Sequence, residues 1–184
     1  MIIKIEELIK GKKTYPKWHS NAEYELVSKI LNKHQILVYY NTKGPIKRRV
    51  KRIFPQEIAC DPCFLWVLGF LKGEGANSLG KSNYRRFTLT NTNPQLIQIV
   101  LEKLEEKELL HIADIPDAAF NIIHTKKPAE SVKYWSQQLN LPKTKFKVYD
   151  DKNNTSDYGV CHLYLSDVLL RRIIDLMHEQ VIYS

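Results

Sequence analysis

Residues 67–75 read VLGFLKGEG, and no other stretch constrains the fold of this chain as strongly. Asp61-Pro62 stands just upstream, an N-cap acceptor followed by a proline at the first helical position, where its missing N–H costs nothing. Phe64, Leu65, Val67, Leu68 and Leu71 make the ensuing helix broadly apolar, and Gly73 and Gly75 lie where it ends. On that helix Gly69 and Gly73 fall one turn apart on the same face. Two positions without side chains let another helix backbone approach closely, whether from this chain or from a second one. Glu74 is the odd residue, because a carboxylate at a helix C-terminus faces the negative end of the macrodipole, a placement that costs a few tenths to about 1 kcal/mol. A divalent cation reverses that sign, and Mg2+ prefers carboxylate and carbonyl oxygens. The alternative is a solvated glutamate at a helix end.

The elements around this helix alternate in an α+β order. In the first sixty residues, Ser20-Asn21-Ala22-Glu23 has the form of a capping box, predicting a helix with Ala22, Leu26, Val27, Ile30 and Leu31 on one face. A strand is predicted over Gln35 to Tyr40, then a turn at Lys43-Gly44-Pro45 and a basic run, KRRVKR, at residues 47–52. Pro55 and Pro62 bracket a boundary between a basic extension, residues 1–60, and a main domain, residues 61–184. Residues 85–90 read as a strand, with Phe87 and Leu89 on one side and Arg86, Thr88 and Thr90 on the other. Asn93-Pro94 starts a second helix with Leu96, Ile97, Val100, Leu101 and Leu104 along its face. A strand near residues 118–124 and a helix over residues 128–139 follow, the helix turning Val132, Trp135 and Leu139 inward. Residues 145–149 and 158–165 then read as strands flanking a polar hairpin loop, and Ser166 or Asp167 caps a last helix.

Composition narrows the partners. With 184 residues, 43% of them hydrophobic, the chain can bury a real core. Its 28 Lys and Arg against 20 Asp and Glu leave a net charge of +8. Such a balance suits a polyanion, nucleic acid being the commonest, or else is only a basic surface. No stretch approaches the roughly 18–20 apolar residues of a membrane helix, and charges interrupt the apolar N-terminus as they would not in a signal peptide. Three cysteines point to a reducing compartment, cytoplasmic or nucleoid-associated. Cys60 and Cys63 form a CxxC, but Cys161 and His162 are adjacent on a strand and so point to opposite faces. Packing and helix capping explain these residues better than zinc does.

The nine residues 67–75, with an apolar helix before them and FTLTNTNPQLIQIVL at residues 87–101 as the next strand and helix, resemble the motif of the LAGLIDADG homing endonucleases. The resemblance covers roughly Pro62 to Gln180. It implies an α+β fold whose antiparallel sheet binds DNA, with helices packed on one face. A chain with one copy of the motif resembles members that form homodimers, here through Leu68, Gly69 and Gly73. The acid at the position of Glu74 binds the catalytic Mg2+ in that family, the Gly73 carbonyl being a possible further ligand, and two such sites cut both strands. Lys72 stands where the family often has its first acid, which is not the one that ligates metal. Active members also use a basic residue late in the domain: Lys145 and Lys147 flank Phe146, His162 ranks below them, and Lys147 is assigned the role. The family's sheet enters a major groove about 12 Å wide. That implies DNA contacts from Tyr84, Arg86, Thr88 and Thr90, with Asn77, Lys81 and Asn83 beside them. Arg48, Arg49 and Arg52 of the basic run are expected on phosphates. The implied activity is site-specific double-strand cleavage by an intron-encoded enzyme, cytoplasmic or organellar. Its rivals are a non-cutting relative, either a transcriptional regulator or an RNA-splicing maturase, and a basic structural module with no nucleic-acid role.

Overall fold

A computed structural model describes residues 1–14, 23–43, 47–74, 87–149 and 156–183 of the chain. Its first elements are short: β1 (Ile2–Lys4), α1 (Ile5–Ile9), β2 (Lys13–Thr14), β3 (Tyr24–Glu25), β4 (Val27–Ile30), β5 (Gln35–Asn41), β6 (Arg49–Pro55) and β7 (Glu57–Ala59). There follow α2 (Pro62–Glu74), β8 (Phe87–Asn91), α3 (Pro94–Glu106), β9 (Phe120–Ile123), α4 (Pro128–Gln138), β10 (Phe146–Val148), β11 (Val160–Leu165) and α5 (Val168–Tyr183). The α+β class expected from the element order is the one observed.

Helix starts follow the local capping chemistry. Asp61 Oδ1 accepts from Phe64 N at 2.8 Å, Asn93 Oδ1 from Gln95 N at 2.9 Å, and Asp167 Oδ1 from Leu170 N at 2.8 Å. The other oxygen of Asp61 accepts from Lys107 Nζ at 2.7 Å, and chiefly this bond holds the Asp61 carboxyl down to about 2.

The helix expected to carry Leu26, Val27, Ile30 and Leu31 is corrected: Tyr24–Glu25 and Val27–Ile30 are strands, while residues 20–22 lie outside the described residues. Val27 sits opposite Tyr39, and Ile30 opposite Ile36, in an antiparallel ladder of β4 with β5. A ten-residue helix is marginal by itself, and β-branched Val27 and Ile30 pack well on a pleated surface, so the ladder prevails. Asn32 closes the turn, its Oδ1 accepting from the N–H groups of His34 and Gln35, both at 2.9 Å. The basic run becomes most of β6, which completes a three-stranded sheet in the order β4-β5-β6.

The larger sheet runs β10-β9-β11-β8. Its β8–β11 and β11–β9 pairs are antiparallel, but β9 and β10 are parallel, which corrects the wholly antiparallel expectation. Helix α4 supplies the crossover that a parallel pair needs. The hairpin expected between the last two strands is likewise corrected, since β9 lies between them. Phe146 of β10 stacks on Phe120 of β9 with ring centroids 5.0 Å apart, and both rings are buried. That aromatic pairing gives β10 a better neighbour than β11.

Helix α5 packs against α1, α2, β2, β6 and β8. One connected set of buried residues runs from Ile3 to Met177, so residues 1–60 share their core with the rest of the chain. Polar contacts cross the same junction: Arg172 Nε donates to the Lys13 carbonyl at 2.9 Å, and Arg52 pairs with Asp167 while donating to the Leu109 carbonyl. No helix among the described residues is long and apolar enough to cross a membrane.

Trp135 of α4 is fully buried and its Nε1 donates to the Tyr158 carbonyl at 2.8 Å. Trp135→Phe keeps an aromatic ring but removes the donor, and is expected to cost about 1–3 kcal/mol in urea unfolding. An unchanged midpoint would show that this bond contributes nothing.

Candidate nucleic-acid interface and motif helix

The apolar helix of the motif is two-sided. Phe64, Val67, Leu68 and Leu71 are buried in the core, none more than 3% exposed. Gly69 and Gly73 are exposed, and a Cβ built on either meets no atom within 4 Å. Trp66, 45% exposed, shares that side and stacks on Phe70 with ring centroids 5.1 Å apart. Glycine inside a helix is about 1 kcal/mol worse than alanine. Among the described residues, no atom lies where a side chain at either position would go, so none requires that cost. Of the three residues expected at a dimer contact, Gly69 and Gly73 therefore face outward while Leu68 faces the chain's own core. Sequence reasoning missed Trp66 and Phe70, although their spacing of four residues put them on one stripe with the glycines. Glu74 is the last residue of α2, and its side chain lies outside what is described.

The four-stranded sheet has one apolar and one polar face. Phe87 and Leu89 of β8, Cys161, Leu163 and Leu165 of β11, Phe120 and Ile122 of β9, and Phe146 of β10 are buried. The alternate positions form a row across all four strands: Thr90 opposite His162, His162 opposite Asn121, Asn121 opposite Lys147. Thr88 opposite Tyr164 begins the next row. Directly opposed residues project to the same side, so these side chains share one face. Thr90 Oγ1 and His162 Nδ1 are hydrogen-bonded at 2.9 Å, the His162 and Tyr164 rings stack with centroids 5.8 Å apart, and Lys147 Nζ lies over the Tyr149 ring at 4.7 Å. Thr88 is buried, Thr90, His162 and Asn121 are half-buried, and Tyr164 and Lys147 are exposed. Asn77, Lys81, Asn83, Tyr84 and Arg86, also expected on DNA, lie outside the described residues. Asn121 and Tyr164 were not singled out from sequence. The signal was there: each alternates with buried neighbours along its strand.

The C-terminal end of α2 lies beside the start of β8, where Leu71 and Lys72 line a small cavity with Phe87, Thr88, Asp175 and His178. Lys147 is on the far edge, three strand spacings or roughly 14 Å from β8. His162, on the strand next to β8, is closer to that end.

His162 Nε2 is enclosed with no hydrogen-bond partner among the described residues. Burial, and secondarily the neighbouring His124, pushes its pKa below the ordinary 6.5. His178 is lowered too, by burial and then Lys72, against the opposing charges of Asp175 and Glu179. An unfolded chain takes up these protons near pH 6.5 while the folded one resists, so stability is complete above that pH and falls as the pH drops below it. Urea midpoints at pH 7.5 and 5.5 are expected to differ, and His162→Gln to narrow the gap. A gap of the same size in the variant would remove His162 from the account.

Strand alternation sorts the basic run. Arg49 and Lys51 are exposed on the outer side of β6, whereas Arg52 points the other way into its pair with Asp167. Arg48, just before the strand, is exposed. Cys60 and Cys161 are buried and Cys63 is exposed, with burial pushing the Cys161 thiol far above its ordinary range. Among the described residues no three His, Cys, Asp or Glu side chains gather closely enough to hold a metal ion. None of the family models, curated proteins or solved structures compared with this chain matches it.

Proposed function

We propose that the chain is a LAGLIDADG-type endonuclease that pairs through α2 and cuts double-stranded DNA with Mg2+. The observation that carries this reading is the outer side of α2: two exposed glycines at which a Cβ would meet no described atom within 4 Å, flanked by exposed Trp66 and half-buried Phe70. A second copy of the same helix fits such a surface, since symmetric contacts use one patch twice. Leu68 is already buried, so Trp66 and Phe70 take its place in the proposed contact with Gly69 and Gly73.

The polar sheet face supports the DNA reading. Thr90, His162, Asn121 and Lys147 span about 14 Å, comparable with a major groove about 12 Å wide. Asn121 offers a donor and an acceptor to a base edge, while Lys147 and Thr90 suit phosphates. Glu74 and the Gly73 carbonyl, in the last turn of α2, would hold Mg2+, and their hard oxygens at the negative end of the helix fit that cation. Bound there, Mg2+ would stabilise charge on the scissile phosphate. Pairing of two α2 helices brings one Glu74 from each copy to the centre of the site, so each copy serves one strand. Lys147 is the proposed basic residue, with His162 as its substitute nearer to α2.

The test is incubation of the protein with DNA spanning the intronless junction of its host gene, with Mg2+ or with EDTA. Specific double-strand cuts in Mg2+ alone are expected. Salt-sensitive binding without cutting would replace the enzyme with a non-cutting regulator or maturase. Absence of salt-sensitive binding would overturn both.

A further inference from the structure

The three-stranded sheet β4-β5-β6 carries a second face, on which Arg49 was expected to meet duplex phosphates and to which the proposed nuclease gives no other role. Its outer rows are Val27, Tyr39 and Lys51, then Lys29, Leu37 and Ile53, with Asn41 opposite Arg49 at one end. The inner side holds Ile36, Val38, Tyr40 and Phe54, all buried. Every charge on the outer face is positive, and Lys29, Arg49 and Lys51 are exposed and form no ion pair among the described residues. Arg52, one residue further on, shows the contrast: its charge is held by Asp167 on the inner side.

Aromatic and aliphatic groups lie among these cations. The Arg49 guanidinium sits 4.6 Å from the centroid of the Tyr39 ring, and its Nε donates to Asn41 Oδ1 at 3.2 Å. That bond helps hold the guanidinium over the ring. Ile53 is 50% exposed and Val27 37% exposed on the same face.

We infer that this face binds single-stranded nucleic acid, with an unpaired base stacked on the Tyr39–Arg49 platform and phosphates on Lys29 and Lys51. Charge complementarity selects a polyanion, because among the described residues of these three strands the face has cations and no carboxylate. The platform then selects an unpaired strand. Aromatic rings and guanidinium planes stack on exposed base faces, which a duplex keeps inside its own stack. Exposed Ile53 and Val27 gain from bases and sugars and nothing from a row of phosphates. This inference stands apart from Glu74 and α2, so it can fail while the nuclease reading holds, or the reverse.

Fluorescence anisotropy on the full chain tests it, with labelled oligouridylate and oligothymidylate of about 15 nucleotides and a duplex of equal length. Binding of either single strand is expected, and the preference between them distinguishes RNA from DNA. Tyr39→Ala is expected to weaken single-strand binding about tenfold while leaving duplex affinity within about twofold, and Tyr39→Phe to retain it. Lys51→Gln, at an exposed position, is expected to weaken the same binding and flatten its salt dependence. Far-UV circular dichroism checks that each variant is folded. Equal loss of single-strand and duplex binding in Tyr39→Ala would reduce the face to a phosphate track and overturn the inference. So would unchanged single-strand binding in that variant, or binding to anionic vesicles with no binding to the oligonucleotides.

Discussion

Glu74→Gln is expected to lower Mg2+-dependent cleavage by about 100-fold or more while DNA affinity stays the same or tightens slightly. The substitution keeps the size of the side chain and removes only its charge. Mg2+ held by hard anionic oxygen loses most from that change, because an amide oxygen is a far weaker donor. In the proposed nuclease, DNA binding rests instead on the sheet face and its cations, and removing a negative charge near phosphates would not weaken it. Cleavage and binding should therefore separate in one variant. Quantitative cleavage of the junction DNA beside a gel-shift titration reads both. A Glu74→Gln protein that cuts at the rate of the parent would end the metal assignment, whatever becomes of the fold.

Gly69→Leu is expected to give a folded protein that no longer pairs. Within one chain a Cβ at Gly69 meets no described atom within 4 Å, so there is room for a larger side chain at this exposed position. The helix itself should be strengthened by the change, since glycine is about 1 kcal/mol poorer than alanine or leucine at such a position. In the proposed pairing, the same side chain would separate two α2 backbones that must nearly touch. Gly73→Leu should act in the same way. Sedimentation and urea unfolding together distinguish the outcomes: a stable monomer that fails to cut is the expected one. A parent chain that remains monomeric on its DNA, or a Gly69→Leu protein that pairs as well as the parent, would sink the pairing reading. Gly159 makes the contrast, because its φ is +77° and a Cβ there would meet the Ile123 carbonyl at 2.4 Å. There the glycine serves the fold of the chain itself; at 69 and 73 no described atom makes that demand.

Parts of this fold were legible because their causes are local. Asp61, Asn93 and Asp167 cap helices through bonds to N–H groups two or three residues on; the first two were readable from the proline that follows each, the third only as one of two neighbours, Ser166 or Asp167. The alternation in β5 and the 3.6-residue stripe of α3 were equally plain. What misled was a local signal with no tertiary backing. The segment around Leu26 and Ile30 had helical spacing, yet β5 offered a complete ladder. Phe146 and Phe120 meet across 26 positions of sequence, and no pattern near either residue announces the other.

The candidate sites divide in the same way. The sequence by itself determined that residues 62–74 form an apolar helix with two glycines one turn apart, ending in an acid, in a chain with net charge +8. Those are matters of composition and of spacing within a few turns. Only the tertiary structure decided which side of α2 the described core covers, that Leu68 turns inward while Trp66 stays out, and that Arg52 is engaged by Asp167 while Arg49 and Lys51 remain exposed. The helix is apolar nearly all round and the basic run is cationic almost throughout, so neither pattern marks an inner side. That choice is made by what packs against them, and the partners lie far away in sequence: α5 for one side of α2, and the start of α5 for Arg52.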